Sequence, residues 1–228
     1  MISKSKKAQK GPSWFEVLFG ALLSVALGAV LGAAYLITKP VQTVKEIPKD
    51  APTGAVYYLE GARDFNKSMV IEEKRKELSA GQSVAVEEGE LNAFIGSLSK
   101  PSGPAASKPA DKNAPPADQK MIEAGTLNIR IRGGKIQFAT PVNYNIYGFT
   151  GAIIVQATGT FVKDGPGFVF KPESSYAGGL PLARILIVKD IIFGKFLFAL
   201  PVPEDIRSAW SKASDVSIEG STLKLKMP

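Results

Sequence analysis

Three glutamates crowd into one short stretch, SVAVEEGELNAFIGSL (83–98), where Glu87, Glu88 and Glu90 stand close enough to act together. Paired carboxylates do general acid–base work when burial or mutual repulsion splits their pKa values. The same stretch has a plainer account. Leu91, Phe94, Ile95 and Leu98 recur at i, i+3, i+4 and i+7, the stripe of a helix packed on a core, preceded by a strand at SVAV. The glutamates then fall in the first turn of that helix, where the macrodipole favours negative charge. Elsewhere the chemistry thins out. The 228-residue chain has no cysteine and no histidine, which excludes disulfides, Cys or His zinc sites, thiol nucleophiles, Ser-His-Asp triads and an acylated lipoprotein cysteine. A carboxylate-only metal site or a Ser-Lys pair survives, but no motif marks either. The expectation is a non-enzyme with no catalytic residue, no metal and no cofactor.

The net charge of +7 is unevenly spread: Lys4, Lys6, Lys7 and Lys10 precede Glu16 at the amino end, and the rest is diluted along the chain. No dense basic cluster interleaved with aromatics is present, so no nucleic-acid partner is expected. From Val17 to Ile37 the chain runs VLFGALLSVALGAVLGAAYLI, without charge or proline. As a helix this covers roughly 31 Å, close to the hydrocarbon thickness of a bilayer. Trp14 and Tyr35 stand near its two ends, where amphipathic rings favour the interface. The lysine-rich flank predicts a cytoplasmic amino terminus and an exported carboxyl-terminal domain, periplasmic or extracytoplasmic. An uncleaved signal anchor is expected; a cleavable signal peptide, with Gly32 and Ala34 as small residues before the cut, is the rival. Gly20, Ser24, Gly28 and Gly32 recur every fourth residue on one face, and GAVLG (28–32) matches GxxxG. That face could pack a homodimer, although Gly and Ala are common in membrane helices without such a role.

The organisation expected is a basic cytoplasmic tail (1–13), a transmembrane helix (14–38), a proline-bearing stalk (39–55) and one exported domain (56–228). VYYLEG (56–61) suits a short strand. Residues 62–81 suit a surface helix with a thin apolar face of Phe65, Met69 and Leu78, ending at Gly81. Residues 100–119 hold five prolines and predict a disordered Pro/Ala-rich loop inserted in the domain. Beyond it the period switches to two. TLNIRIR (126–132) and KIQF (135–138) flank a Gly133-Gly134 hairpin signal, VNYNIY (142–147) alternates, and GAIIVQATGTFV (151–162) turns at DGPG into FVFKP (168–172). These make an antiparallel meander with one apolar face. Residues 201–213 predict a helix starting near Pro203, and 215–228 a closing strand through Leu223 and Leu225.

Residues 183–200, ARILIVKDIIFGKFLFAL, are very apolar but carry Arg184, Lys189, Asp190 and Lys195. As a membrane span, eleven Leu, Ile, Val and Phe residues gain about 0.3–0.6 kcal/mol each, while Lys189 and Asp190 at the centre cost about 2.5–3.5 each. The balance is near zero or unfavourable before the other two cations count. Packing on the apolar face of the meander is the economical solution. The fold class expected is therefore α+β, an N-terminal transmembrane helix followed by one domain whose curved antiparallel sheet packs on helices.

Several short features together carry a resemblance: the apolar anchor, a helix with Glu90-Leu91-Asn92, long meandering strands and a Gly178-Gly179-Leu180-Pro181-Leu182 turn. Asp215, Val216, Ile218, Gly220, Leu223 and Leu225 complete it at the last strand. In these the chain resembles bacterial single-span proteins of the YpmS-like kind, whose exported domain is similar to tubular lipid-binding folds. The resemblance covers roughly residues 83–228, and the proline-rich insertion departs from it. It implies a non-catalytic domain with a bilayer and a lipid as partners. A groove for a lipid or other hydrophobic ligand would then be lined by Phe138, Tyr144, Phe161, Phe168, Ile187 and Phe193, unless those side chains fill a solid core. The alternative is a structural or assembly subunit of a cell-envelope complex acting through protein contacts.

Overall fold

The computed structural model describes residues 11, 13–50, 52, 55–62, 64, 68–98, 121–165, 167–182 and 202–228. Two compact units are found, residues 1–36 and 37–228. Helix α1 (Trp14–Thr38) is 25 residues long, and none of its residues is buried. It begins on a reciprocal cap. The Ser13 amide donates to Glu16 Oε2 at 2.7 Å, and the Glu16 amide donates to Ser13 Oγ at 3.3 Å. Two otherwise orphaned helix donors are thereby satisfied. Within α1 the Ser24 hydroxyl donates to the Gly20 carbonyl at 2.8 Å, so this polar group is spent inside the helix. Among the described residues this is the one helix long and apolar enough to cross a membrane.

The second unit is α+β and antiparallel in its main sheets, as expected. Its elements run β1 (Gln42–Val44), β2 (Tyr57–Leu59), α2 (Ser68–Ser79), β3 (Val84–Glu87), α3 (Glu88–Leu98), β4 (Ile122–Ala124), β5 (Asn128–Arg132) and β6 (Lys135–Ile146). They continue with β7 (Phe149–Asp164), β8 (Gly167–Ala177), β9 (Leu180–Pro181), α4 (Glu204–Lys212), β10 (Asp215–Glu219) and β11 (Thr222–Lys226). The large sheet has the order β4-β6-β7-β8-β9, with β5 also paired to β6 beyond the end of β4. A second sheet is β10-β11-β3, and β1 pairs in parallel with β2. Thus Gln42–Val44, inside the stretch expected as a stalk, forms a strand. DVSIEG and STLKLK make a hairpin rather than one closing strand, because Gly220 takes φ +61° and turns the chain.

KIQF and VNYNIY, expected as separate strands, are one strand that passes through Pro141. A proline inside a sheet lacks a donor and is normally confined to edges or breaks. Here Pro141 lies opposite the interruption between β4 and β5, where the Gly125 amide donates to the Pro141 carbonyl at 2.7 Å. No β4 or β5 ladder bond needs the missing N–H at that point. On the opposite side Pro141 pairs with Ile154 of β7.

The main core lies where α2, α3 and α4 and the small sheet meet one face of the large sheet. Ile129, Ile131 and Ile136 project from that face, and Val84, Val86, Ile95, Leu223 and Leu225 come from the opposing elements. Helix α2 contributes more than its sequence suggests. Ile71 and Leu78, seven apart, are buried in this core, whereas Met69 is 83% exposed and Phe65 lies outside the described residues. A smaller cluster of Val142, Val155, Ala177 and Leu182 fills the same face toward the other end of the long hairpin.

Candidate functional site

The acidic residues at the start of α3 are structural. Glu88 and Asn92 are four apart, hence on one helical face, and that face lies along the free edge of β5. Asn92 accepts from the Ile129 amide at 2.7 Å and returns a hydrogen bond to the Ile129 carbonyl at 2.7 Å, the two-bond exchange that a neighbouring strand residue would make. Glu88 accepts from the Ile131 amide at 2.6 Å, from the Ala62 amide at 2.7 Å and from Arg130 Nη1 at 2.9 Å. Glu90 accepts from the Glu87 amide and from Lys74 Nζ. The Glu88 and Glu90 carboxylates are both occupied by the scaffold, while Glu87 ends β3 with its side chain exposed. Among the described residues no group of three or more His, Cys, Asp and Glu is placed to hold a metal ion.

Among the described residues the groove candidates separate into two locations. Phe138, Phe161 and Phe168 come together, with Phe170 and Trp210, against the main core. The Phe138 and Phe170 ring centroids are 4.9 Å apart at 87°, and those of Phe161 and Trp210 are 5.0 Å apart at 68°. Such edge-to-face pairs are worth about 0.5–1.5 kcal/mol each beyond their area. The Trp210 indole N–H donates to the Phe168 carbonyl at 3.0 Å, so the polar end of the largest ring is satisfied as well. Tyr144 is elsewhere. Six residues along β6 from Phe138, about 20 Å at strand spacing, its ring lies across Gly151 of β7, where any β-carbon would collide with it. Ile187 and Phe193 lie outside the described residues, as does the whole of 183–200. In the first unit, β-carbons built on Gly20, Gly28 and Gly32 meet nothing within 4 Å, so this small-residue face is open.

Two surface features were not anticipated. The first is the far end of the β6–β7 hairpin. There is no charged residue between Lys135 and Lys163. Where the hairpin overhangs its neighbours, Tyr147 is 96% exposed and Phe149 78% exposed, with Ile146 beside them. Ile122 pairs with Tyr144, and the Asn145 amide donates to the Met121 carbonyl, which adds two more exposed apolar side chains to the tip. Tyr147 has φ +50° and Gly148 φ +85°, the signs of a type I′ turn. Asn or Gly normally takes the first central position; an exposed tyrosine there is held in a conformation its side chain disfavours.

The second feature is a cleft of about 320 Å³ on the face of the large sheet away from the main core. β5, β6, β7 and β8 contribute its floor through Arg130, Arg132, Lys135, Gln137, Gln156, Thr158 and Tyr176, and Ile47, Val56, Tyr57 and Leu59 form a largely apolar wall. Alternation along the strands puts these polar residues together, since every second side chain faces away from the core. The buried Gln137 amide donates to Gln156 Oε1 at 2.6 Å, and Gln156 donates in turn to the Tyr57 carbonyl at 3.1 Å, tying the wall to the floor. Arg130 and Arg132 were visible in the sequence as the polar half of NIRIR, but nothing local said what would lie over them. Comparison with protein-family models, with curated proteins and with solved structures finds no match to this chain.

Proposed function

We propose that this chain is a membrane-anchored, non-catalytic module, with α1 spanning the bilayer, the amino terminus cytoplasmic and the α+β domain exported, where it engages lipid. The observation that carries the reading is the uncharged hairpin tip. A loop end that exposes Tyr147, Phe149 and Ile146, on a hairpin with no charge of its own between Lys135 and Lys163, offers water an unfavourable surface and a bilayer interface a favourable one. Tyr is suited to the headgroup level and Phe to the acyl boundary. The exposed apolar length of α1 and the lysines at 4, 6, 7 and 10 support the membrane anchor and its orientation.

The chain has no cysteine, so a single thiol can be placed at will. With Tyr147→Cys carrying an environment-sensitive fluorophore in proteoliposomes of full-length chain, we expect a blue-shifted emission quenched by lipids spin-labelled near the headgroup. Lys163→Cys, at the opposite end of β7, should stay in water and unquenched. A label at 147 as exposed as that at 163 sinks the lipid reading. Protection at 147 that instead follows protein concentration and yields crosslinks favours the assembly reading.

A further inference from the structure

The cleft beneath β2 has no part in the reading above, and its charge is unbalanced. Among the described residues no carboxylate lines it. Arg132 and Lys135 are directly opposed across the β5–β6 turn, where Gly133 and Gly134 both take positive φ. Like charges at directly opposed positions destabilise a hairpin. Lys135 is relieved by Glu173, but among the described residues Arg132 has no acidic partner. One row further in, Arg130 pairs with Gln137 in register and so faces the same side. Its Nη1 is held by Glu88, its side chain is still 26% exposed, and its Nε is a buried donor without an acceptor. Buried polar groups almost always find a partner, so such an orphan calls for an explanation. Thr158 and Tyr176 bring hydroxyls to the same floor, while Val56 and Leu59 keep the opposite wall apolar.

We propose that this cleft binds an anionic group, a phosphate or carboxylate, borne by a small amphipathic molecule. Arg132 is the principal counter-charge, Arg130 and Lys135 complete the cationic rim, and the apolar wall takes the non-polar part of the ligand. The bland alternative is a solvated patch of strand surface, on which three cations stand without a ligand. One observation weighs against it: the apolar wall of Val56, Tyr57 and Leu59 encloses the cationic floor in a cleft that a bare strand face would lack. The volume, about 320 Å³, is at the lower end of the range for small-molecule sites, which suits a headgroup or a short-chain ligand and not a whole long-chain lipid.

The test uses full-length chain in a non-ionic detergent and three probes: inorganic phosphate, dihexanoyl phosphatidic acid and dihexanoylglycerol. We expect calorimetric titration to show the phosphatidic acid binding at least tenfold more tightly than the neutral diacylglycerol. Arg132→Glu should weaken it at least tenfold, Arg132→Gln by less, and Lys163→Glu outside the cleft not at all. Arg132 is exposed and opposes Lys135, so variants that melt no lower than the parent separate lost binding from lost fold. If inorganic phosphate binds as tightly as the phosphatidic acid, the natural source is a free anion; weaker phosphate binding marks an amphiphile. Equal affinity for the charged and neutral probes, no binding of either anion, or an Arg132→Glu variant that binds like the parent overturns the proposal.

Discussion

A strand at a sheet edge carries unpaired amides and carbonyls, and in β5 two side chains satisfy them in place of another strand. Asn92 is suited to this because its amide is a donor and an acceptor in one plane, as a peptide group is. Ile129 is only 4% exposed, so water cannot replace the lost partner. Asn92→Leu leaves one buried N–H and one buried C=O without partners, at about 1–3 kcal/mol each. We expect a loss of about 3 kcal/mol, with Asn92→Asp no milder, because a carboxylate oxygen would then face the Ile129 carbonyl in a buried site. Denaturant unfolding followed through Trp210 fluorescence checks the order. A Leu variant as stable as the parent would show that the edge is not held this way. Gly61 belongs to the same corner. Its amide donates to Asn128 Oδ1 at 2.8 Å, and a β-carbon there would strike the Ile129 carbonyl oxygen. The stripe of α3 was legible from spacing alone. Its polar face was not, because Asn92 meets a partner 37 residues away and no local pattern encodes that distance.

Between elements, the contact with the clearest pH signature joins α2 to α4. Arg75 Nε and Nη2 reach Asp205 Oδ2 and Oδ1 at 2.7 and 3.1 Å, a two-pronged pair, and Ser79 adds a third bond at 3.2 Å. The hydrogen bond from Arg75 holds the Asp205 carboxyl below its ordinary range, and the same pairing raises Arg75. A depressed carboxylate stabilises the fold above its unfolded pKa, and that contribution disappears as pH falls through the folded value. Arg75 stays charged throughout and adds no slope. Asp205→Asn should therefore lower the melting temperature at neutral pH, within the roughly 1 kcal/mol ceiling of exposed pairs. The gap should close as the pH drops below the ordinary aspartate range. A gap that persists in acid would assign the effect to helix packing and not to charge. Elements themselves were readable where their period was unbroken, as in NIRIR and the Gly133-Gly134 turn. They were misjudged where long-range pairing overrode a local breaker. KIQF and VNYNIY read as two strands, yet β6 runs through Pro141 because β4 and β5 part opposite it, and Gln42–Val44 looked like stalk until β2 supplied its partner. The tip was missed for a related reason, since VNYNIYGFT alternates like any strand pair and only the shortness of its neighbours leaves it bare.

For the whole molecule, the two units make opposite demands on solvent. α1 has no buried residue to shield its apolar surface, while the second unit closes its own core and leaves charge on its exterior. The proposed reading meets both demands by placing α1 in hydrocarbon and the second unit in water, and it takes the orientation from the lysines before Ser13. Positive flanking charge is retained in the cytoplasm, so the proposed orientation has a direct readout. With Ser5→Cys and Lys163→Cys made separately, a membrane-impermeant maleimide applied to intact cells should modify position 163 and leave position 5 untouched until the cells are permeabilised. Modification at 5 but not at 163 would invert the orientation. A chain that is labelled at 163, has lost the cysteine at 5 and has a correspondingly smaller mass would identify α1 as a cleaved signal. The hairpin tip and the cationic cleft would then act in an untethered domain, and lipid engagement would rest on Tyr147, Phe149 and Ile146 without an anchor.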